Sequence, residues 1–150
     1  MTHAMAAAIF RIVSAGFLLT ALVFASGAFA PIDTMSVWMH DMLDWPLNGS
    51  IETYTREARW FSAIGGGVFA GLCILFILVI VPLIERGDRA VRRGVIISML
   101  VWFVIDSSGS VAAGVPANAV FNVAFLAMFL GPLLAIREPA QQSSLADQRS

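Results

Sequence analysis

The chain predicts an all-α fold: a four-helix transmembrane bundle with a short amphipathic interfacial helix between spans one and two. Three observations lead there. First, 59% of the 150 residues are hydrophobic, 13% are charged, and mean hydropathy is +0.83; soluble domains are nearer half apolar and a quarter charged. Second, four stretches approach the roughly 20 mainly apolar residues that a spanning helix needs: 12–30, 62–84, 95–115 and 119–136. They are continuous rather than alternating, so helices and not barrel strands are expected. Third, the arginines are unevenly placed. Arg86, Arg89, Arg92 and Arg93 crowd the link between spans two and three, Arg11 precedes span one and Arg137 follows span four. The longer link from Pro31 to Phe61 holds Arg56 and Arg59. By the positive-inside rule both ends and the Arg-rich link are cytoplasmic.

Span one has a second reading. Arg11, an apolar run and Ala28-Phe29-Ala30 resemble a signal peptide with its cleavage site. The run is long for such a core, and Pro31 would follow the cut, so an uncleaved span is favoured. In the outer link, Met35, Trp38, Met39, Met42 and Leu43 recur at helical spacing, with Asp33 or Thr34 placed to cap them and Asp41 and Asp44 off the stripe. This pattern predicts a short helix lying on the outer interface and ending at Trp45-Pro46, with Trp38, Trp45, Tyr54 and Trp60 at headgroup level. Asn48-Gly49 marks a turn. Spans two and three are joined by the Arg-rich link, spans three and four by a tight turn at Pro116-Ala117-Asn118. Spans one and three, and the Pro-Leu-aliphatic ends of spans two and four, match in pattern; a duplicated hairpin and chance similarity both remain open. Residues 1–136 form one membrane domain, and the polar tail from Glu138 is expected to be disordered.

Several chemistries are excluded. All nine basic residues are Arg, so no Lys can form a Schiff base. Cys73 is the single cysteine, which rules out an internal disulfide or a cysteine-held cluster. His3 and His40 lie outside the spans, where they do not suit membrane haem. His40 and Asp44 share the i, i+4 spacing of metal ligands, but two ligands do not make a site. No nucleophile-elbow, metalloprotease or P-loop motif is present. A net charge of -1 gives no nucleic-acid surface. No enzymatic activity, metal or cofactor is expected.

Two sets of residues stand out. Asp106 is the sole acid or base inside the four apolar stretches, roughly 15 Å from the outer end of span three and near the midplane. A carboxyl at that depth costs several kcal/mol unless it is neutral, paired or hydrogen-bonded. Ser110 lies one turn above it and Trp102 one turn below. Folding span four back around the turn brings Asn118 and Asn122 alongside, with Asn122 near the level of Ser110. Asp106, Ser107, Ser110, Asn118 and Asn122 thus form a candidate polar cluster, with Ser26 and Ser62 also in the outer half. Such a cluster either ties helices together or holds water, a cation or a small polar solute. The inner half of span three offers only Ser98 as a polar group, so no complete proton relay to the cytoplasm is visible in the sequence. The second set is glycine: Gly65, Gly66, Gly67 and Gly71 in span two, and Gly114 in Ser110-x-x-x-Gly114, are candidates for close helix packing within the bundle or between subunits.

Ser62-Ala63-Ile64-Gly65-Gly66-Gly67-Val68-Phe69-Ala70-Gly71, Trp102-Phe103-Val104-Ile105-Asp106-Ser107 and Asn118-Ala119-Val120-Phe121-Asn122-Val123-Ala124-Phe125-Leu126 carry a resemblance over about residues 59–136. This region resembles small four-span bacterial inner-membrane proteins of uncharacterised function. The resemblance implies the bacterial cytoplasmic membrane but no activity. Absent Lys and abundant Ala, Arg and Gly agree with a GC-rich bacterial genome. The expected role is a structural or accessory subunit packing through Gly/Ser helix faces, with the lipid bilayer and a second copy or another membrane protein as partners. The alternative is binding or transport of a small solute, cation or proton at the Asp106 cluster.

Overall fold

The computed structural model describes residues 1–49 and 54–137; the polar tail from Glu138 lies outside the described residues. Those residues form six α-helices: α1 (His3–Ser26), α2 (Thr34–Asp44), α3 (Arg56–Leu75), α4 (Val81–Glu85), α5 (Arg89–Ala112) and α6 (Pro116–Leu134). A five-residue π-helical stretch, Phe76–Ile80, joins α3 to α4 without a break. Among the described residues, four helices are long and apolar enough to cross a membrane: His3–Ser26, Arg56–Glu85, Arg89–Ala112 and Pro116–Leu134.

Three of these helices begin several residues before their apolar runs, because the stop and start signals are polar. Thr2, Thr55 and Asp88 are N-caps with extended backbones, and their side chains accept from Met5 N, Ala58 N and Val91 N. The second of these candidate spans therefore reaches 30 residues, about 45 Å at 1.5 Å per residue, well beyond a 30 Å hydrocarbon core. The π stretch precedes Pro82, which has no N–H and whose ring would clash with the carbonyl four residues back; the wider turn accommodates it. Pro132, the corresponding proline of α6, sits within an α-helix that continues through it.

α1 is the central helix, packed against α3, α4 and α6, while α5 rests chiefly on α6. The apolar core lies toward the end carrying the α4–α5 link. Phe10 sits 5.3 Å in ring-centroid distance from both Phe76 and Phe129, and Phe17 sits 4.8 Å from Phe125 and 5.7 Å from Phe69. Ala6, Ala7, Val81, Ile84 and Leu133 fill in around them, all essentially buried. Aromatic pairs at these separations contribute beyond the area they bury. Hydrogen bonds from Met1 N to Ala135 O and from Arg137 N to Met1 O tie the start of α1 to the end of α6. The exposed Arg11–Glu85 pair nearby, at 3.9 Å, adds little.

Toward the other end, small residues replace aromatics on the α1–α3 seam. A Cβ built on Gly66 would fall 2.6 Å from Ala25 Cα, Cβ and N, so this glycine is where the two backbones come together. One built on Gly65 would meet the Phe24 ring at 3.0 Å. Gly67 and Gly71 face outward: a Cβ on either would meet nothing within 4 Å among the described residues. Gly114 adopts φ +83 in a turn, and a Cβ there would meet nothing within 4 Å among the described residues.

Candidate functional site

The five-residue polar cluster is assembled by the α5–α6 turn. Val115 N donates to Ser110 O at 2.9 Å and Gly114 N to Val111 O at 3.1 Å, the paired bonds of a Schellman motif around a left-handed glycine. Pro116 then occupies the first position of α6, where its fixed φ suits a helix start and no N–H is needed. The two helices so joined run antiparallel, and residues equidistant from Gly114 come to the same level. Asn118 Nδ2 donates to Ser110 Oγ at 2.8 Å and to Asp106 Oδ1 at 3.1 Å. The Ser110 hydroxyl faces Asp106 O at 2.8 Å and Asp106 Oδ1 at 3.2 Å. Asn122, almost fully buried, donates from Nδ2 to Ser107 Oγ at 3.2 Å.

Asn122 therefore pairs one turn deeper than expected, with Ser107 and not at the level of Ser110, because the turn pivots on Gly114 rather than on Pro116–Asn118. Ser26 and Ser62 do not join the cluster. Ser26 donates to Val23 O on its own helix at 2.7 Å, and Ser62 is buried beside Gly27 on the α1–α3 seam. Asp106 itself is only partly buried, because α5 lies at the edge of the bundle. Its Oδ1 accepts twice, while no hydrogen bond to Oδ2 is made among the described residues. No cationic group bonds to it, and the described residues contain no cluster of three His, Cys, Asp or Glu able to hold a metal.

A second polar centre, at the α2 end, was not apparent in the sequence. The α2 stripe does not face the bundle: Met35 and Trp38 are more than half exposed, while Ser36 and Asp41 on the opposite face are buried. Ser36 Oγ donates to Phe24 O at 3.2 Å and also meets Tyr54 Oη at 3.1 Å. The donor order follows by elimination: with the serine proton on Phe24 O, the tyrosine hydroxyl donates to Ser36 Oγ. His40 Nδ1 lies 2.8 Å from Ser36 O and also contacts the Tyr54 hydroxyl, so it is the remaining donor. The imidazole is sandwiched near the Phe24 ring at 4.8 Å and the Tyr54 ring at 5.1 Å. Burial pushes its pKa below 6.5, with the Ser36 carbonyl acting in the opposite direction. Burial likewise raises the Tyr54 phenol above 10, against the opposing effect of its hydrogen bond with Ser36.

Asp33 does not cap α2 through its side chain. It pairs instead with Arg59 at 2.8 Å, and Arg59 also donates to Gly27 O at 3.1 Å. The guanidinium further lies over the Tyr54 ring at 5.9 Å. Gly27 admits this convergence because it has no side chain: a Cβ there would sit 2.6 Å from both Ser36 Oγ and Tyr54 Cε2. Asp41 Oδ2 accepts from Gly49 N at 3.1 Å, and Gly49 takes φ +68 in the turn expected at Asn48-Gly49. Among the described residues, Asp41 Oδ1 is buried without a partner. Asp44 is exposed and not joined to His40, so the i, i+4 pair forms no ligand set among the described residues.

Concavities lie beside Arg56, Glu57 and Trp60 and, as an apolar groove, between α3 and α5. Comparison with protein-family models, with curated proteins and with solved structures returns no match for this chain.

Proposed function

We propose that this chain is a non-enzymatic four-span protein of the bacterial cytoplasmic membrane, with both ends cytoplasmic, acting as a structural or accessory subunit. The observation that carries this reading is the use made of the polar cluster. The amides of Asn118 and Asn122 donate across the α5–α6 seam to Asp106, Ser110 and Ser107. Polar groups spent on joining two helices at membrane depth act as a cross-link worth about 0.6–2 kcal/mol per bond. The exposed Met35 and Trp38 of α2 support a helix whose apolar side meets lipid at the outer interface. The outward Gly67 and Gly71 are suited to close approach by a second copy or another membrane protein.

A second reading, binding or transport of a proton, cation or small solute at Asp106, is favoured by one observation: Oδ2 of this partly buried carboxyl makes no bond among the described residues. The test is the pair Asp106→Asn and Asp106→Leu. As a cross-link, Asn retains thermal stability in detergent and Leu lowers it. As a binding site, Asn abolishes pH-dependent solute or proton uptake by proteoliposomes without altering the fold, and this result would sink the structural reading.

A further inference from the structure

Because α5 leans on α6, its side toward α3 is left open, and an apolar groove of about 320 Å³ runs between them. One wall carries Leu72, Phe76 and Ile80, including both ends of the π-helical stretch; the other carries Val91, Gly94 and Trp102. A Cβ on Gly94 would meet nothing within 4 Å, so the floor of the groove is unfilled at that level. From Val91 to Trp102 the groove extends about 16 Å along α5. That is half of a 30 Å hydrocarbon core, the depth of one lipid leaflet.

The two ends of the groove differ in charge. Trp102 closes it near mid-membrane. Val91 opens it among Arg86, Arg89, Arg92 and Arg93, at the α4–α5 link. The two acids there are already engaged: Glu85 faces Arg11 at 3.9 Å, and Asp88 caps α5 at Val91 N. Arg86 and Arg93 are exposed. A spanning partner helix would run on past the mid-membrane end of the groove at Trp102. A phospholipid chain ends at mid-membrane and places its phosphate among the arginines.

We infer that the α3–α5 groove is a binding site for one anionic phospholipid, with an acyl chain along Leu72–Ile80 and Gly94–Trp102 and its phosphate on the Arg-rich link. The inference rests on the four-span membrane placement proposed above, but not on the structural role. The test uses the full chain with Trp38, Trp45 and Trp60 replaced by Phe, leaving Trp102 as the sole indole. It is reconstituted in phosphatidylcholine discs containing a minor fraction of chain-brominated lipid, and fluorescence quenching is read. Brominated phosphatidylglycerol is expected to quench Trp102 at several-fold lower mole fraction than brominated phosphatidylcholine. Arg86→Gln and Arg93→Gln should each weaken that preference about fivefold, as for one lipid-facing charge. Gly94→Phe should block quenching by the anionic lipid, while Gly94→Ala leaves it intact. Equal quenching by both brominated lipids in the chain that keeps Trp102 as its sole indole overturns the inference without reliance on the Arg or Gly substitutions. So does protection of Trp102 from both lipids together with disulfide cross-linking of copies through Gly94→Cys in a Cys73→Ala background, which would put a second chain in the groove.

Discussion

Gly66→Ala isolates the close approach of α1 and α3. The added methyl would lie 2.6 Å from the Cα, Cβ and N of Ala25, two of which are backbone atoms that no rotamer change can move. The helices must therefore separate, at an overpacking cost of about 1–3 kcal/mol. Replacing a mid-helix glycine returns about 0.5–1 kcal/mol of backbone entropy. The net expectation is a loss of about 1–2 kcal/mol. Gly67→Ala is the matched control: one residue along the same helix, its Cβ meets nothing within 4 Å, so it should gain about 0.5–1 kcal/mol. The two variants should differ by roughly 2 kcal/mol in reversible unfolding by denaturing detergent, followed by intrinsic fluorescence. Adding Ala25→Gly to Gly66→Ala should recover only part of the loss, because the Ala25 Cα and N contacts persist. Equal stability of Gly66→Ala and Gly67→Ala would refute the close α1–α3 contact. If Gly67 serves an intermolecular face, its substitution should weaken cross-linking between copies even as the single chain becomes more stable.

Three further outcomes follow from the geometry. Asn118→Leu removes the donor to both Ser110 Oγ and Asp106 Oδ1 and should lower stability by about 0.6–2 kcal/mol per bond, whereas Asn118→Ser should cost less; no change in unfolding would mean the α5–α6 bonds do not form. The depressed pKa of His40 has a defined sign: below about pH 6.5 the unfolded chain takes up a proton that the native imidazole resists, so stability should fall as pH drops from there and level off once the native group also titrates. His40→Gln should flatten that segment of the thermal-stability profile, and an unchanged profile would contradict burial of the ring. A reporter active only in the periplasm should be silent when fused after Arg137 and active when fused within the α2–α3 link; the reverse pattern would invert the topology.

The polar cluster and the outer centre differ in how far sequence spacing can lead. Asp106, Ser110 and Asn118 belong to one hairpin with a short turn, so counting residues on either side nearly places them together. The error of one turn at Asn122 arose because the pivot depends on the left-handed φ of Gly114, which a glycine permits but does not dictate. Ser36, His40, Tyr54 and Arg59 come from two helices and a long link, and no periodicity relates them. The stripe of Met35, Trp38 and Met39 distinguishes two faces of α2, but in a membrane protein an apolar face can meet lipid as readily as protein. The Ser36–Phe24 bond and the Gly27 contact decide that the polar face turns inward.

By itself, the sequence determined four apolar helices, the Arg asymmetry and the α5–α6 hairpin. These depend on local backbone chemistry and on the length of a run measured against a bilayer. Only the tertiary structure decided that α1 is the central helix, that Gly66 packs while Gly67 and Gly71 face outward, and that α5 stands off α3 to leave a groove. Four apolar helices satisfy their backbone hydrogen bonds in any arrangement. Which faces meet is settled by the fit of Phe10, Phe17, Phe76 and Phe129 at one end and by Gly66 against Ala25 at the other.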